Sequence, residues 1–304
     1  MPELQGVMPI LPTIFTSSGA IDETGTRRVL DYVIEAGAAA VVFPGLASEY
    51  DTLTMDERLH MSARIGEWTA GRVPFVVGAS APGTAEAMRY AQAGAQAGAV
   101  AAMILTPKAY ADDLAGMARF FSEVHETSGL DVMLQNAPAP MGIGMPLSKV
   151  AELAHAVKGI RYVKEEAAPS GQRITQLGEL AGDALDAVFG GAGARFVIDE
   201  LTRGSKGTMP ASEITELHVE MHRSFVAGDE RHARDLFEQT LPLLNMQANF
   251  RWHLTKAVLQ RRGLIESTHV RAAGPELDRY DLHELDALLA RLRDLGLIDF
   301  SARS

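Results

Sequence analysis

The feature that most constrains the fold is an eightfold alternation of short apolar runs and longer helical patterns. The runs are mostly continuously apolar, and each is closed by Gly, Pro or Asn. Such runs are typical of parallel strands that are covered on both faces. They occupy residues 7–12, 40–44, 73–78, 101–105, 131–136, 160–165, 185–190 and 207–209. The helical patterns occupy residues 23–35, 54–69, 84–97, 112–128, 147–156, 170–180, 194–203 and 214–227.

This alternation predicts an α/β protein, and eight strand–helix units match a (β/α)8 TIM barrel. A doubly wound sheet is the alternative. It would need a Gly-rich phosphate turn after the first strand, where residues 12–15 read Pro-Thr-Ile-Phe. After Gly228 only helical patterns follow, over residues 230–247, 250–262 and 281–295, the last beginning at Asp281. We therefore expect a catalytic barrel over residues 1–228 and a C-terminal helical extension over residues 229–304, packed on the barrel or on a partner.

Composition narrows the classes of function. The formal net charge is −11, which argues against nucleic acid or a membrane surface as partner, since both need clustered Lys and Arg. The absence of cysteine excludes disulfides, thiolate nucleophiles and Cys-ligated metal centres. His218 and His222 have the spacing of a metal pair, but no third ligand is evident and we expect a solvated helix face. No metal site is predicted.

The chain also shows no pattern that would direct it to a membrane. Residues 1–6 carry neither a basic nor an apolar leader segment, and no stretch offers eighteen uninterrupted apolar residues. A cytoplasmic protein that acts on a small molecule is therefore expected.

Residues 159–166, Gly-Ile-Arg-Tyr-Val-Lys-Glu-Glu, place a lysine inside a predicted strand. The side-chain period of two puts Tyr162, Lys164 and Glu166 on one face. Burial disfavours the ammonium form of an amine and lowers its pKa, and a neutral amine attacks a ketone to form a Schiff base. Of the six lysines, Lys149, Lys158 and Lys256 fall on or beside predicted outer helices, and only Lys164 falls inside a predicted strand. A catalytic lysine is the hypothesis; a strand-end lysine with its ammonium in solvent is the alternative.

Polar residues follow several other predicted strands, at the barrel end where chemistry is expected. Residues 45–49, Gly-Leu-Ala-Ser-Glu, form a turn whose backbone N–H groups and Ser48 hydroxyl could bind a carboxylate, unless it is an ordinary connection. The fifth run ends in Gln135 and Asn136, and the seventh ends at Gly190.

Together these residues resemble the dihydrodipicolinate synthase/N-acetylneuraminate lyase family of Schiff-base-forming class I lyases. The resemblance implies a (β/α)8 barrel with C-terminal helices, usually a homotetramer, in which Lys164 forms an imine with a 2-oxo acid and no separate cofactor is needed. It rests on Pro12-Thr13-Ile14-Phe15, Gly45-x-x-x-Glu49, Leu53-Thr54 with Glu57, Thr106-Pro107, Asn136-x-Pro138 and Val163-Lys164-Glu165. The expected substrate-binding residues are Thr13, Gly45, Leu46, Ala47, Ser48, Asn136, Gly190 and Met209.

Departures from the family pattern shift the expected reaction. Most members have a proton-relaying tyrosine on strand five, where this chain has Gln135, which forms hydrogen bonds but does not titrate. No arginine occurs in residues 139–142 to hold a second substrate, so lysine biosynthesis is not expected. The chain is more similar to the 2-keto-3-deoxy-L-arabonate dehydratase type, through Gln135, the Lys-x-Glu of strand six and Leu-Thr-Lys-Ala at 254–257. Asn136 stands where that branch is expected to have Asp.

The sequence therefore predicts a dehydratase of sugar acid metabolism with Lys164, Glu166 and Gln135 as catalytic residues. From an imine on Lys164, loss of a C3 proton gives an enamine that expels the C4 hydroxyl when an acid, here Glu166, protonates it. Glu166 could equally bind a substrate hydroxyl or pair with the amine. A pyruvate-releasing class I aldolase, with Tyr110, Tyr50 or water as relay, is the first alternative. A non-catalytic 2-oxo acid binder is the second.

Overall fold

The computed structural model describes residues 4–299, which contain eight parallel strands, each followed by a helix. The predicted (β/α)8 barrel is confirmed. Its strands are β1 (Gly6–Val7), β2 (Val41–Phe43), β3 (Phe75–Gly78), β4 (Ala101–Leu105), β5 (Asp131–Asn136), β6 (Ile160–Glu165), β7 (Ala187–Gly190) and β8 (Gly207–Thr208).

The helices enclose the sheet and continue into the C-terminal extension. They are α1 (Glu23–Glu35), α2 (Met55–Thr69), α3 (Thr84–Gln96), α4 (Leu114–Ser128), α5 (Leu147–Ala156), α6 (Ser170–Ala181), α7 (Val197–Thr202), α8 (Thr215–Val226), α9 (Glu230–Arg261) and α10 (Arg279–Asp294). No helix within residues 4–299 combines the length and the apolar character needed to cross a bilayer.

The barrel closes between the first two strands through a short irregular segment. Neighbours follow the order β1-β8-β7-β6-β5-β4-β3-β2, all parallel. Ile10 forms a parallel bridge with Val42, and the Val42 N–H donates to the Pro9 carbonyl at 3.1 Å. The predicted strand over residues 7–12 shrinks to β1 because Pro9 and Pro12 have no N–H to donate.

The strands divide the core into two layers. Side chains such as Met133, Tyr162 and Phe189 fill the barrel interior. Their neighbours along the strands, including Leu134 and Val163, face the surrounding helices. Because side chains alternate, Lys164 shares the inner face with Tyr162.

Helix starts follow local capping chemistry. Thr54 and Glu57 form the capping box that their spacing indicates, with hydrogen bonds of 2.9 and 3.2 Å between side chains and backbone N–H groups. The predicted start of the last helix at Asp281 is wrong. Asp278 caps α10 by accepting from the Tyr280 and Asp281 N–H groups, so Asp281 lies in the first turn.

The C-terminal extension packs on α8, the last helix of the barrel. Helices α8, α9 and α10 share one apolar cluster that includes Leu217, Leu254 and Leu285. The two helices expected at 230–247 and 250–262 are one helix, α9, with a kink at Arg251. The domain division at residue 228 stays a prediction, and the outer limits of the two predicted domains, residues 1 and 304, lie outside the described residues.

The expected solvated face at His218 and His222 is wrong for His218. That imidazole is 3% exposed, and neither ring nitrogen has a hydrogen-bond partner among residues 4–299. Burial lowers the pKa of His218 to about 4, which keeps the ring neutral at pH 7. Within the described part of the chain, no three His, Asp or Glu side chains converge in an arrangement that could hold a metal ion.

A buried ion pair joins the extension to the turn after β2. Lys256, expected on an outer helix face, is fully buried, and its Nζ donates to Glu49 Oε1 at 2.5 Å and to the His269 carbonyl at 2.8 Å. Glu49 Oε2 accepts from the N–H groups of Arg271 and Ala272 at 2.7 and 2.8 Å. Burial lowers the pKa of Lys256 to about 8, and the Glu49 carboxylate opposes this shift.

Substituting Lys256→Met should lower the free energy of unfolding by about 3–5 kcal/mol, because it leaves the Glu49 carboxylate buried without its cationic partner. Urea denaturation of the full chain measures this change. Lys158→Met serves as the control because Lys158 is exposed, and it should change stability by less than about 0.5 kcal/mol. Equal losses in the two variants would contradict a structural role for the pair.

Candidate active site

A cavity of about 200 Å³ opens at the C-terminal ends of the strands. Its walls come from the turn after β2, from β6, from the loops after β5, β7 and β8, and from α9. The lining residues are Ile10, Leu46, Ala47, Pro138, Met141, Lys164, Glu166, Ala192, Gly193, Arg195, Met209, Pro210, Ala211, Gln247, Ala248, Arg251, Trp252 and Thr255. The barrel and the C-terminal extension therefore build one site together.

Lys164 and Glu166 form the charged centre of this cavity. Lys164 Nζ lies 3.1 Å from Glu166 Oε1, and the two side chains are 4% and 10% exposed. Gln135 lies beside Lys164 in the β5–β6 register, and its Nε2 donates to Glu166 Oε2 at 2.6 Å. The Ala192 N–H donates to Glu166 Oε1 at 3.4 Å. Two donors, at the ends of β5 and β7, thus hold one carboxylate against the amine.

Two successive glycines at the end of β7 make room for carboxyl groups. A Cβ at Gly191 would lie 2.5 Å from Glu166 Oε1, and one at Gly190 would lie 1.8 Å from Glu200 Oε2. Any larger residue would displace these groups. Gly190 was expected to contact substrate, but it lies outside the lining because the Glu200 carboxyl occupies the adjacent space.

Glu200, on α7, is a fully buried carboxyl beside the site. Ser170 Oγ donates to its Oε1 at 2.6 Å, whereas Oε2 has no hydrogen-bond partner among the described residues. Burial raises the pKa of Glu200 to about 7, the Ser170 hydrogen bond opposes the shift, and the nearby Glu166 charge adds to it. The carboxyl therefore exchanges its proton near neutral pH.

Stability should depend on pH through Glu200. Its folded pKa of about 7 exceeds its ordinary value of 4.5, so the folded state binds the proton more tightly. The free energy of unfolding therefore falls as pH rises from about 4.5 to about 7 and is level above that. Glu200→Gln carries no charge, so its stability relative to wild type should be higher at pH 8 than at pH 4.5, by up to about 3 kcal/mol.

Urea denaturation at pH 4.5, 6, 7 and 8 measures this difference between Glu200→Gln and wild type. Glu152→Gln is the control, because Glu152 is exposed on α5. Glu213 is also buried with a pKa raised to about 7, so it adds the same dependence of the free energy of unfolding on pH to both proteins. A constant difference between Glu200→Gln and wild type across the series would contradict a buried, titrating Glu200.

Only some of the substrate-binding residues predicted in the turn after β2 line the cavity. Leu46 and Ala47 line the cavity. Ser48 Oγ instead donates to the Leu11 carbonyl at 2.5 Å and accepts from the Gly45 N–H at 2.9 Å, while Thr13 Oγ1 donates to the Ser48 carbonyl at 2.7 Å. The hydroxyls of Thr13 and Ser48 hold the turn in shape, and both side chains are fully buried.

Asn136 lies on the other face of β5 from Gln135. Its Nδ2 donates to Glu165 Oε2 at 2.8 Å and to the Met145 carbonyl at 3.2 Å, and its Oδ1 accepts from the Met145 N–H at 2.8 Å. Glu165 accepts in turn from Arg173 Nε at 2.9 Å. The expected contact between Asn136 and substrate is corrected: the strand period turns this amide toward the helices. Met209 does line the cavity.

Sequence reasoning missed the two arginines that line the cavity from α9 and from the β7 loop. Arg195 and Arg251 line the cavity, and Trp252 Nε1 donates to the Leu46 carbonyl at 2.6 Å. The interruption between the two helical patterns at residues 247–250 was the available signal, since it falls next to the kink at Arg251. A helical period does not tell which barrel end an extension covers.

Comparison with known proteins agrees with this architecture. The chain matches the model of the dihydrodipicolinate synthetase family over residues 3–292. Among solved structures, a protein from Escherichia coli K12 of the dihydrodipicolinic acid synthase family, in complex with pyruvate, is 25% identical with a TM-score of 0.87. The alignment covers 97% of this chain and 99% of that one.

Curated relatives include enzymes with different reactions. L-2-keto-3-deoxyarabonate dehydratase of Azospirillum brasilense is 28% identical over 97% of each chain. A 4-hydroxy-tetrahydrodipicolinate synthase of Acidobacterium capsulatum is 31% identical over 88% of this chain and 89% of the relative. Sequence, fold and relatives agree, and this chain belongs to the dihydrodipicolinate synthetase family.

Proposed function

We propose that this member of a lyase family is an imine-forming dehydratase that acts on a 2-keto-3-deoxy sugar acid. The observation that carries the proposal is the Lys164–Glu166–Gln135 group, in which a buried amine lies 3.1 Å from a carboxylate that an amide, and not a phenol, holds in place. Similarity to L-2-keto-3-deoxyarabonate dehydratase over 97% of the chain supports the same substrate class.

The first step joins the substrate to Lys164. The neutral amine attacks the C2 carbonyl, and loss of water leaves an iminium between C2 and Nζ. Glu166 is close enough to take the proton that frees the amine from its ammonium form and to return that proton to the hydroxyl that leaves C2 as water. The second Nζ proton passes to the C2 oxygen when the adduct forms, so the step ends with an iminium, water and the Glu166 carboxylate. By the family resemblance, the C1 carboxylate lies at the turn that contains Leu46 and Ala47.

The second step removes water from the sugar acid. The iminium draws electrons from C3, so a base that takes a C3 proton leaves an enamine. The enamine electrons expel the C4 hydroxyl as water when an acid protonates it. Glu166 serves as base and then as acid, which returns it to its starting state. In a five-carbon substrate, proton transfer from C5 to C3 leaves an enol between C4 and C5, and transfer of the enol hydroxyl proton to C4 converts C5 into an aldehyde. Hydrolysis of the imine then gives a 2-oxo semialdehyde and free Lys164.

The geometry supports dehydration over aldol cleavage. Cleavage needs a base on the C4 hydroxyl, for which family members have a phenol. No tyrosine within residues 4–299 lines the cavity. Tyr110 instead forms a 3.2 Å hydrogen bond with Thr84, and the Tyr50 ring lies 5.3 Å from the Arg58 guanidinium. Neither of these suggested replacements for the phenol is among the lining residues.

A product assay tests the proposed function. The protein is incubated with 2-keto-3-deoxy-L-arabonate, and the products are separated by mass. A semialdehyde with five carbons is expected. Release of pyruvate would favour the aldolase instead. If borohydride reduction traps no adduct with either pyruvate or the sugar acid, the imine chemistry is rejected and the protein is a non-catalytic binder of 2-oxo acids.

Two further expectations belong to this proposal. The reaction needs no cofactor besides Lys164, since the iminium itself is the electron sink. The chain assembles as a homotetramer, as the family resemblance implies.

A further inference from the structure

Two arginines face the cavity from separate elements. Arg195 comes from the loop after β7, and Arg251 comes from the kink of α9. The two elements approach closely, because a Cβ at Gly193 would lie 3.1 Å from Gln247 Oε1. Both arginines therefore belong to the lining of one small cavity.

Neither arginine is paired with a carboxylate among residues 4–299. Arg195 Nε donates to the Ala192 carbonyl at 2.9 Å, and an Arg251 terminal nitrogen lies 3.3 Å from Met141 Sδ, a weak acceptor. Within residues 4–299, no carboxylate oxygen lies within 4.0 Å of either guanidinium. By contrast, Arg173 is held by Glu165. The donors of Arg195 and Arg251 are therefore available to a ligand.

The backbone on both sides of this wall is strained. Arg251 has φ 43° and ψ −113° inside α9, which L-residues rarely adopt. Ala192 and Ala194 have φ 50° and 63°, on either side of Gly193. Such conformations are energetically unfavourable and persist where the surrounding structure enforces them, often at ligand sites. Here they bring both arginine-bearing segments to the cavity.

The charge of the lining exceeds what one substrate carboxylate neutralises. The charged lining residues are the cations Lys164, Arg195 and Arg251 and the anion Glu166, so three positive charges less one negative charge leave a balance of +2. The chain as a whole carries −11, so this balance is specific to the cavity. A ligand with two negative charges matches it.

We propose that the cavity takes a 2-keto-3-deoxy acid that carries a second anionic group, a carboxylate or a phosphate ester, at its far end, bound by Arg195 and Arg251. The inference rests on the proposed function for the placement of the 2-oxo acid end at Lys164. With C1 at the Leu46–Ala47 turn and C2 on Lys164, the far end extends toward the β7 loop and α9. Guanidinium forks bind both carboxylate and phosphate oxygens.

Calorimetric titration of the wild-type protein with matched ligands tests the inference. 2-Oxoglutarate is compared with 5-methyl-2-oxohexanoate, in which an isopropyl group replaces the far carboxylate. 2-Oxoadipate and 6-methyl-2-oxoheptanoate extend the comparison by one carbon, and 4-phosphono-2-oxobutanoate replaces the far carboxylate by a phosphonate. We expect at least one dianion to bind at least about tenfold tighter than its monoanionic partner, since guanidinium groups form strong charge-assisted hydrogen bonds with a second anionic group.

Variants assign the preference to the two arginines. Arg195→Gln and Arg251→Gln should each reduce the ratio of dissociation constants, and the double variant should bring it near one. Arg231→Gln is the matched control, because Arg231 is exposed on the same helix, α9. The ratio should also fall between 50 and 500 mM NaCl, since both guanidinium groups are partly exposed. The phosphonate arm shows which kind of far-end anion is preferred.

The outcomes separate this inference from the proposed function. A ratio near one for every wild-type pair, no detectable binding of any dianion, or a ratio that survives in the double variant overturns the arginine site. If the arginine site is overturned in this way but pyruvate still forms a borohydride-trapped adduct, the proposed imine chemistry is retained without the anion site. A dianion preference that depends on the arginines, with no trapped adduct, supports the site and rejects the imine.

Discussion

Lys164→Ala is expected to abolish the borohydride-trapped adduct and to lower turnover of a 2-keto-3-deoxy acid by about 10⁴- to 10⁶-fold. Without the amine, C2 remains a ketone, which is a far weaker electron sink than an iminium. The loss should appear as a mass that does not increase after incubation with pyruvate and reduction. Turnover is measured on the same preparation.

Lys158→Ala controls for the loss of an unrelated lysine, because Lys158 is exposed at the opposite end of the barrel wall, just before β6. It should form the adduct as wild type does. Because Lys164→Ala also removes a buried charge next to Glu166, thermal unfolding of both variants is needed to confirm that they remain folded. An adduct that persists in folded Lys164→Ala would reject Lys164 as the imine-forming residue.

The barrel could be predicted because it depends on local patterns. Buried parallel strands are short apolar runs, so β4, β5 and β6 begin and end as expected. Capping residues such as Thr54 mark the starts of helices. The errors occur where backbone chemistry interrupts the pattern. Pro9 removes a ladder donor from the first strand, and Pro74 delays the start of the third, so β1 and β3 are shorter than their apolar runs.

The placement of Lys164 beside Gln135 was also within reach of the sequence, because strand period and barrel topology determine it. The roles of Ser48 and Asn136 were not, since either side chain could satisfy the protein or a ligand. In the structure both are used by the protein. Glu200 and Arg251 escaped prediction for a different reason. Their positions follow from how α7 and α9 pack against the barrel, and no local period encodes such long-range packing.

Glu166→Gln is the second variant with a large expected effect. Glutamine preserves the size of the side chain and can still accept a hydrogen bond from Gln135, but it neither accepts nor releases a proton at neutral pH. We expect dehydration to fall by about 10²- to 10⁴-fold, the usual contribution of general acid–base catalysis. The adduct with pyruvate should still reach the wild-type extent at equilibrium, because Lys164 is retained, although it should form more slowly without the proton transfers by Glu166. Turnover and the extent of trapping are measured in parallel.

Comparing the extent of trapping with the turnover of Glu166→Gln shows which role Glu166 has. If the carboxylate only pairs with the amine, Glu166→Gln alters trapping and turnover together, because both depend on the state of Lys164. If it carries the proton from C3 to the C4 hydroxyl, trapping persists while turnover is lost. Gln135→Leu separates orientation from proton transfer: it removes the 2.6 Å donor to Glu166 Oε2 but keeps the carboxyl, so its loss of turnover should be smaller than that of Glu166→Gln. A Glu166→Gln protein with wild-type turnover would reject the proposed acid–base role, since no other carboxylate lines the cavity within residues 4–299.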